Sequence, residues 1–198
     1  ILFYSGSIFP NELTQPKGAV VTSNALATKA GEKILAEGGN AYDAATTISA
    51  MLSVVEPFAS GLGGGAFWLI YDAKSKKYTM LDARETAPLQ SHKNMYLDEN
   101  ANVIKNMSTL GPLSAGIPGV PAVLSYVNDK YGSKKLSTLL DPAYEAAING
   151  FPVNERYLKG AKYKKKWLKK YKETEAIFLH KGEVPKKGWI LKQTDLAR

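Results

Sequence analysis

The sequence contains no cysteine, which removes disulfides, thiolate nucleophiles and thiolate metal sites together. It has only two histidines, His92 and His180, too few for a histidine-rich metal centre. Carboxylates remain as ligands for a hard cation, but no metal and no cofactor are expected. No apolar run approaches the roughly 18 residues that a membrane helix needs. A Gly-x-Ser-x-Gly elbow is also missing, and both histidines sit in polar, loop-like sequence, so a serine-hydrolase triad has no parts to be built from. His92 and His180 read as surface residues.

What is present describes a globular chain. Its 198 residues are 44% hydrophobic and 22% charged, enough to bury a core without covalent staples. The net charge of +8 is local. Residues 1–149 carry 12 basic and 13 acidic groups, whereas residues 150–198 carry 14 and 5. Residues 1–9 are apolar with small residues between. They read as the end of an export leader or as an N-terminal arm, which sets residues 1–16 apart from a domain over 17–198. The expected location is periplasmic or secreted.

Along the chain, Val20–Thr22 reads as a short strand, and Ser23 or Asn24 as the cap of a helix over 25–37. Leu26, Ala30 and Ile34 share one face of it. Gly38-Gly39 stops that helix, and Asn40 caps a second over 41–55, with Asp43 in its first turn. This second helix has little polar face and should be buried on most sides, both helices packing on a sheet. Strands at Phe67–Tyr71 and Tyr78–Asp82 read as a hairpin. Residues 91–119 are loop-like, and helices follow at about 121–131, 136–149 and 154–171. The order implies a layered α/β (α+β) fold.

Three features invite a functional reading. The glycines at 61–65 follow a helix and open a strand, with no Gly-Lys-Ser/Thr. They fit a turn of close backbone approach better than a phosphate loop. Lys159 to Lys172 holds eight lysines with aromatics between. Tyr163, Trp167 and Tyr171 are spaced by four, so this stretch reads as a helix with an inward aromatic stripe and a solvated lysine face. No nucleic acid is expected as a partner. Arg84 ends the second strand. It is either a locally paired arginine, with Asp82 or Glu85, or a binding group whose planar fork fits a carboxylate bidentately.

Several blocks together resemble one family. Gly38-Gly39-Asn40-Ala41-Tyr42-Asp43-Ala44-Ala45 is similar to the GGNAxDAA motif of the gamma-glutamyltransferases (gamma-glutamyl transpeptidases). Val54-Val55-Glu56-Pro57, Ser60 to Phe67, and Asp82 to Pro88 resemble that family's next blocks. Gly116 to Gly119, Asn149 to Val153, and Leu191 to Ala197 match later landmarks in order. The resemblance implies the N-terminal part of a large subunit with an N-terminal nucleophile hydrolase fold, an αββα sandwich of two sheets between helical layers. It implies a self-cleaving precursor, whose new N-terminal threonine on a small subunit attacks a gamma-glutamyl amide such as that of glutathione. The acyl group then passes to water or to an acceptor amino acid or peptide. A related acylase or a poly-gamma-glutamate-processing enzyme is the alternative within the family. No catalytic residue is expected in this chain, which alone should be inactive. Arg84 matches the family's substrate-binding arginine, which holds the glutamyl alpha-carboxylate.

Overall fold

The computed structural model describes residues 18–198. The leader or arm expected over 1–16 lies outside the described residues. Val20–Thr22 is not a strand. Val21 is 94% exposed, and local side-chain hydrogen bonds stand where a ladder would be. The Thr22 hydroxyl donates to the Asn24 carbonyl at 2.7 Å and accepts from the Asn24 amide at 3.1 Å, which favours a cap over a strand.

Asn24 then caps α1 (Ala25–Ala36), its side chain accepting from the Leu26 amide. The buried row of α1 is Ala27, Ala30, Gly31 and Ile34; Leu26, expected to face inward, is exposed. The reason is helical phase. At Gly31 an added Cβ would lie 2.6 Å from Ile48, so the neighbouring helix packs closely on that side of α1, and Leu26, five residues earlier, lies about 140° round the helix from it.

That neighbour is α2 (Ala41–Val55), which packs on α1 and on two later helices, α3 (Val120–Tyr131) and α4 (Leu136–Asn149). Its small and apolar residues are buried as expected, from Ala44 to Val55. The early helices do not use the hairpin as their platform. They pack chiefly on each other and on α4, while the hairpin's helical neighbour is α3. The sides of α2 are already taken by helices, so no apolar face is left over for a sheet.

The segment between α1 and α2 shows what the first motif does. Gly38 takes φ +82°, a left-handed conformation that glycine adopts freely. Asn40 accepts from the Tyr42 and Asp43 amides while Asp43 accepts from the Asn40 amide, a reciprocal cap. Asp43 is fully buried and also accepts from the Ser133 amide (2.9 Å), the Ser133 hydroxyl (2.5 Å) and the Lys134 amide (3.3 Å). Asn40 donates to the Tyr131 carbonyl at 2.8 Å. The α1–α2 turn is thereby tied to the α3–α4 turn. Burial opposes ionisation of Asp43, but the Ser133 hydroxyl and the three amides outweigh it and hold its pKa below the ordinary 3.8.

The chain's end closes the same core. Strand β3 (Phe151–Pro152) pairs antiparallel with β4 (Ile190–Leu191). Between them lie α5 (Glu155–Leu168) and α6 (Lys172–Phe178), and α7 (Thr194–Ala197) follows. Gln193 is buried and donates to the Val54 carbonyl at 2.8 Å, while its amide donates to the Ala147 carbonyl. The helix expected over 154–171 is present but ends at Leu168, whose carbonyl accepts from the Thr174 hydroxyl at 2.7 Å, satisfying a helix end.

Candidate functional site

The site is built from the hairpin outward. Strand β1 (Ala66–Asp72) pairs with β2 (Lys77–Ala83), with Ala66 opposite Ala83 and Asp72 opposite Lys77. The turn is held by Asp72, which accepts from the Lys74 amide and the Ser75 hydroxyl. Side chains alternate across the pair. Trp68, Ile70, Thr79 and Leu81 face inward, with Ile70 buried. Phe67, Leu69, Tyr71, Tyr78 and Met80 face outward and are exposed, Leu69 by 72%.

Where β2 ends, three backbone segments converge. The Thr86 amide donates to the Ile117 carbonyl at 3.2 Å, and the Ile117 amide returns a bond at 2.8 Å. The Gly119 and Val120 amides both donate to the Gly64 carbonyl at 3.1 Å. Helix α3 has no side-chain cap, and the glycine turn supplies the acceptor instead. A Cβ at Gly119 would lie 2.0 Å from the Ala83 carbonyl oxygen, and one at Gly65 would lie 2.7 Å from the Glu85 amide nitrogen. Of the glycines at 61–65, Gly65 serves the expected close approach, and the contact it permits is with the Arg84 segment, whereas a Cβ at Gly63 would meet nothing within 4 Å.

Arg84 and Glu85 point to different clefts. Arg84 lines one of about 430 Å³ with Met80, Thr86, Pro118, Ala122 and Tyr126. Glu85 lines another of about 350 Å³ with Ser49, Phe58, Ser60, Gly64 and Val120. The Arg84 side chain is 70% exposed, with its Nε 3.6 Å from a Glu85 carboxylate oxygen. Asp82 takes the Arg84 amide rather than its guanidinium. A pair this open contributes at most about 1 kcal/mol. Among the described residues the terminal nitrogens of Arg84 have no hydrogen-bond partner. A fork free at its end is suited to a planar anion.

The other expected features fall elsewhere. His92 and His180 are exposed, His180 lying beside the Trp189 ring. The inward aromatic stripe on α5 is wrong. Its buried row is Tyr157 and Ala161, with Leu168 continuing it. Tyr163 is 80% exposed and Tyr171 is exposed beyond the helix end, while Trp167 is half-buried. Every spacing of four defines a row on a helix, and only packing selects which row turns in. Here the Tyr157 hydroxyl selects it by donating to the Phe178 carbonyl at 2.6 Å. Burial pushes the Tyr157 pKa up to about 12.

A family model described as gamma-glutamyltranspeptidase matches residues 27–198. The chain belongs to the gamma-glutamyltranspeptidase family. It is 42% identical over 182 residues to a glutathione hydrolase proenzyme of Pseudomonas sp. (strain A14), covering 91% of this chain and 32% of that protein. It is 39% identical to the glutathione hydrolase proenzyme of Escherichia coli (strain K12), covering 92% and 31%. The chain thus spans about a third of the length of these curated relatives. Its fold is that of the gamma-glutamyltranspeptidases of known structure, which are N-terminal nucleophile hydrolases. It superposes on the crystal structure of the Helicobacter pylori gamma-glutamyltranspeptidase with a TM-score of 0.89 at 40% identity, covering 95% of this chain and 54% of that one. The described residues hold helices and two strand pairs of that fold, not two stacked sheets. Glu85 was legible as a local partner of Arg84, and the two are paired; sequence reasoning missed the second cleft that Glu85 lines and the Gly64 carbonyl. The only trace of these was the glycine cluster, whose partner is remote in sequence.

Proposed function

We propose that this chain is the substrate-holding part of a gamma-glutamyl hydrolase and transferase, acting on the gamma-glutamyl amide of glutathione and related compounds. The observation that carries the proposal is the Arg84 fork, free at its end and fixed by the contact of Gly64, Gly65 and Gly119 with the end of β2. Arg84 binds the glutamyl alpha-carboxylate. The nucleophile is a threonine on a small subunit, released when the precursor cleaves itself, with its own alpha-amino group as base. Backbone donors there stabilise the oxyanion. The acyl group passes to water or to an acceptor amine. This chain contributes position and charge to that reaction and no bond-breaking group.

The test uses the complete protein and a chromogenic gamma-glutamyl anilide. Turnover is expected from the complete protein and none from residues 1–198 alone. Arg84→Ala should weaken glutamate affinity by about 2–5 kcal/mol, and Arg84→Lys by less, since it keeps charge without the fork. Self-cleavage on a gel should be unchanged. Glutamate affinity that survives in Arg84→Ala removes this residue from the site.

A further inference from the structure

Because Tyr157 and Ala161 turn inward, α5 presents a different row to the surface. The outward row of this helix is Lys159, Tyr163 and Lys166, spaced i, i+4 and i+7, with Lys162 and Trp167 as its i+3 and i+4 neighbours. Lys159, Lys162, Tyr163 and Lys166 are exposed. Among the described residues none of these three lysines takes part in an ion pair. The neighbouring Lys165, by contrast, is bridged to Glu183. Charges and rings stand at one level. Lys164 Nζ lies 5.2 Å from the Tyr163 ring centre, Lys166 Nζ 5.6 Å from that of Trp167, and Lys170 Nζ 5.4 Å from that of Tyr171. The surrounding residues 150–198 carry 14 basic groups against 5 acidic ones, so the excess is not neutralised nearby.

A second observation says what kind of anion fits. Beside this row lies an apolar cleft of about 390 Å³. Tyr163 and Lys164 line it together with Phe58, Gly160, Leu168 and Phe178. A polyanion made only of phosphates and sugars gains nothing from an aliphatic and aromatic slot next to its cationic contacts. A phospholipid gains on both counts, with its headgroup on the lysines and acyl methylenes against the rings. The row also runs along the exposed side of one helix, the arrangement of a helix that lies in the plane of an interface. Aromatic rings with lysine stems at their own level suit the headgroup boundary.

The geometry points to a peripheral docking face for anionic phospholipid, formed by Lys159, Lys162, Tyr163, Lys166 and the cleft beside them. It is independent of the proposed catalytic role. Charge draws the face to the membrane and Tyr163 fixes the depth. Attachment through charge of this kind is reversible and weakens with salt.

The experiment measures co-sedimentation of the complete protein with vesicles of phosphatidylcholine, with and without phosphatidylglycerol as roughly one third of the lipid, at about 0.1 M salt. Binding is expected only when the anionic lipid is present. The triple variant Lys159→Ala, Lys162→Ala, Lys166→Ala should lower the partition coefficient roughly a hundredfold, and Tyr163→Ala about fivefold. Gamma-glutamyl anilide turnover should be unchanged in both, which shows that they are folded. Equal binding to both vesicle types, or full binding by the triple variant, overturns the proposal. So does a failure of the wild-type protein to bind anionic vesicles. A single-stranded oligonucleotide is the third arm. If it binds as tightly as the vesicles and depends on Tyr163 to the same degree, the face is a nucleic-acid surface and the lipid assignment is wrong.

Discussion

The helical part of the molecule and the hairpin are finished to different degrees. Around α2, most buried polar groups are answered within the chain: Asp43 by Ser133, Lys134 and Asn40, Thr47 by the Leu139 carbonyl, and the Val54 carbonyl by Gln193, with the Thr46 hydroxyl the exception. Among the described residues the hairpin has one face against the helices and the other bare, with Phe67, Leu69, Tyr71, Tyr78 and Met80 exposed. A contiguous apolar face of this kind marks an unfinished contact. The family's sequence blocks divide along the same line. GGNAxDAA and the Gln193 segment hold helices together, while the glycine turn and the Arg84 segment line two clefts.

Four changes test that division, beginning with the largest. Asp43→Ala should destabilise the complete protein by about 3–5 kcal/mol, because the Ser133 and Lys134 donors and the Asn40 cap lose their acceptor in a buried place. Urea unfolding measures it, and a loss below about 1 kcal/mol would mean that the two turns are held by something else. The same residue sets an acid limb. Its folded pKa lies below 3.8, so its stabilisation is fully present above the unfolded pKa of about 3.9 and disappears as pH falls through the lower folded value. The stability gap between wild type and Asp43→Asn should therefore narrow only below about pH 4; a gap that is flat down to pH 2 contradicts the linkage.

Leu69→Lys addresses the bare face. Among the described residues nothing covers Leu69. If the complete protein completes the sandwich that its family implies, the lysine should lower stability by about 2–3 kcal/mol. An unchanged melting temperature in the complete protein would show that this face stays in water. Gly119→Ala joins the two regions. Its Cβ would strike the Ala83 carbonyl oxygen, so α3 must move off the end of β2, at a cost of about 1–3 kcal/mol. KM for the gamma-glutamyl anilide should rise with the loss of stability, since Arg84 follows Ala83. A normal KM in a destabilised variant would uncouple Arg84 from that contact. The smallest effect is expected from Leu26→Ala, within about 0.5 kcal/mol, because this leucine lies off the buried row of α1. Differential scanning calorimetry decides it, and a loss above about 2 kcal/mol would restore Leu26 to the core.

Much of the fold was legible because it is local. Asn24 and Asn40 announce their caps, Gly38 its left-handed turn and the polar run at 72–77 its hairpin, each within a few residues of the element it governs. The errors arose where a remote partner decides. Leu26 and Tyr163 sat on plausible helical rows, but Ile48 and Phe178 choose the buried ones. Val20–Thr22 had strand composition, and hydrogen bonds from the Thr22 hydroxyl claimed it for a cap. For the site, Arg84 was visible as a residue type at a strand end. Its setting was not, because the contacts that fix it come from Gly64 and Gly119, on opposite sides of it in the sequence.

The paired bonds between Thr86 and Ile117 also bear on how this enzyme family can change. They close the excursion over residues 87–116 at its neck, so the site feels the neck and not the length of chain beyond it. Doubling such a loop costs only about 0.6 kcal/mol in closure entropy. Within the excursion, Asp98 accepts from the Asn100 and Asn102 amides and Leu97 bridges Val103, a small fold that keeps its own shape. Insertions, deletions or exchanged sequences here should leave Arg84 where it is. This stretch is therefore where a relative can acquire a new lid, a new partner or a new neighbour at little cost to the placement of Arg84.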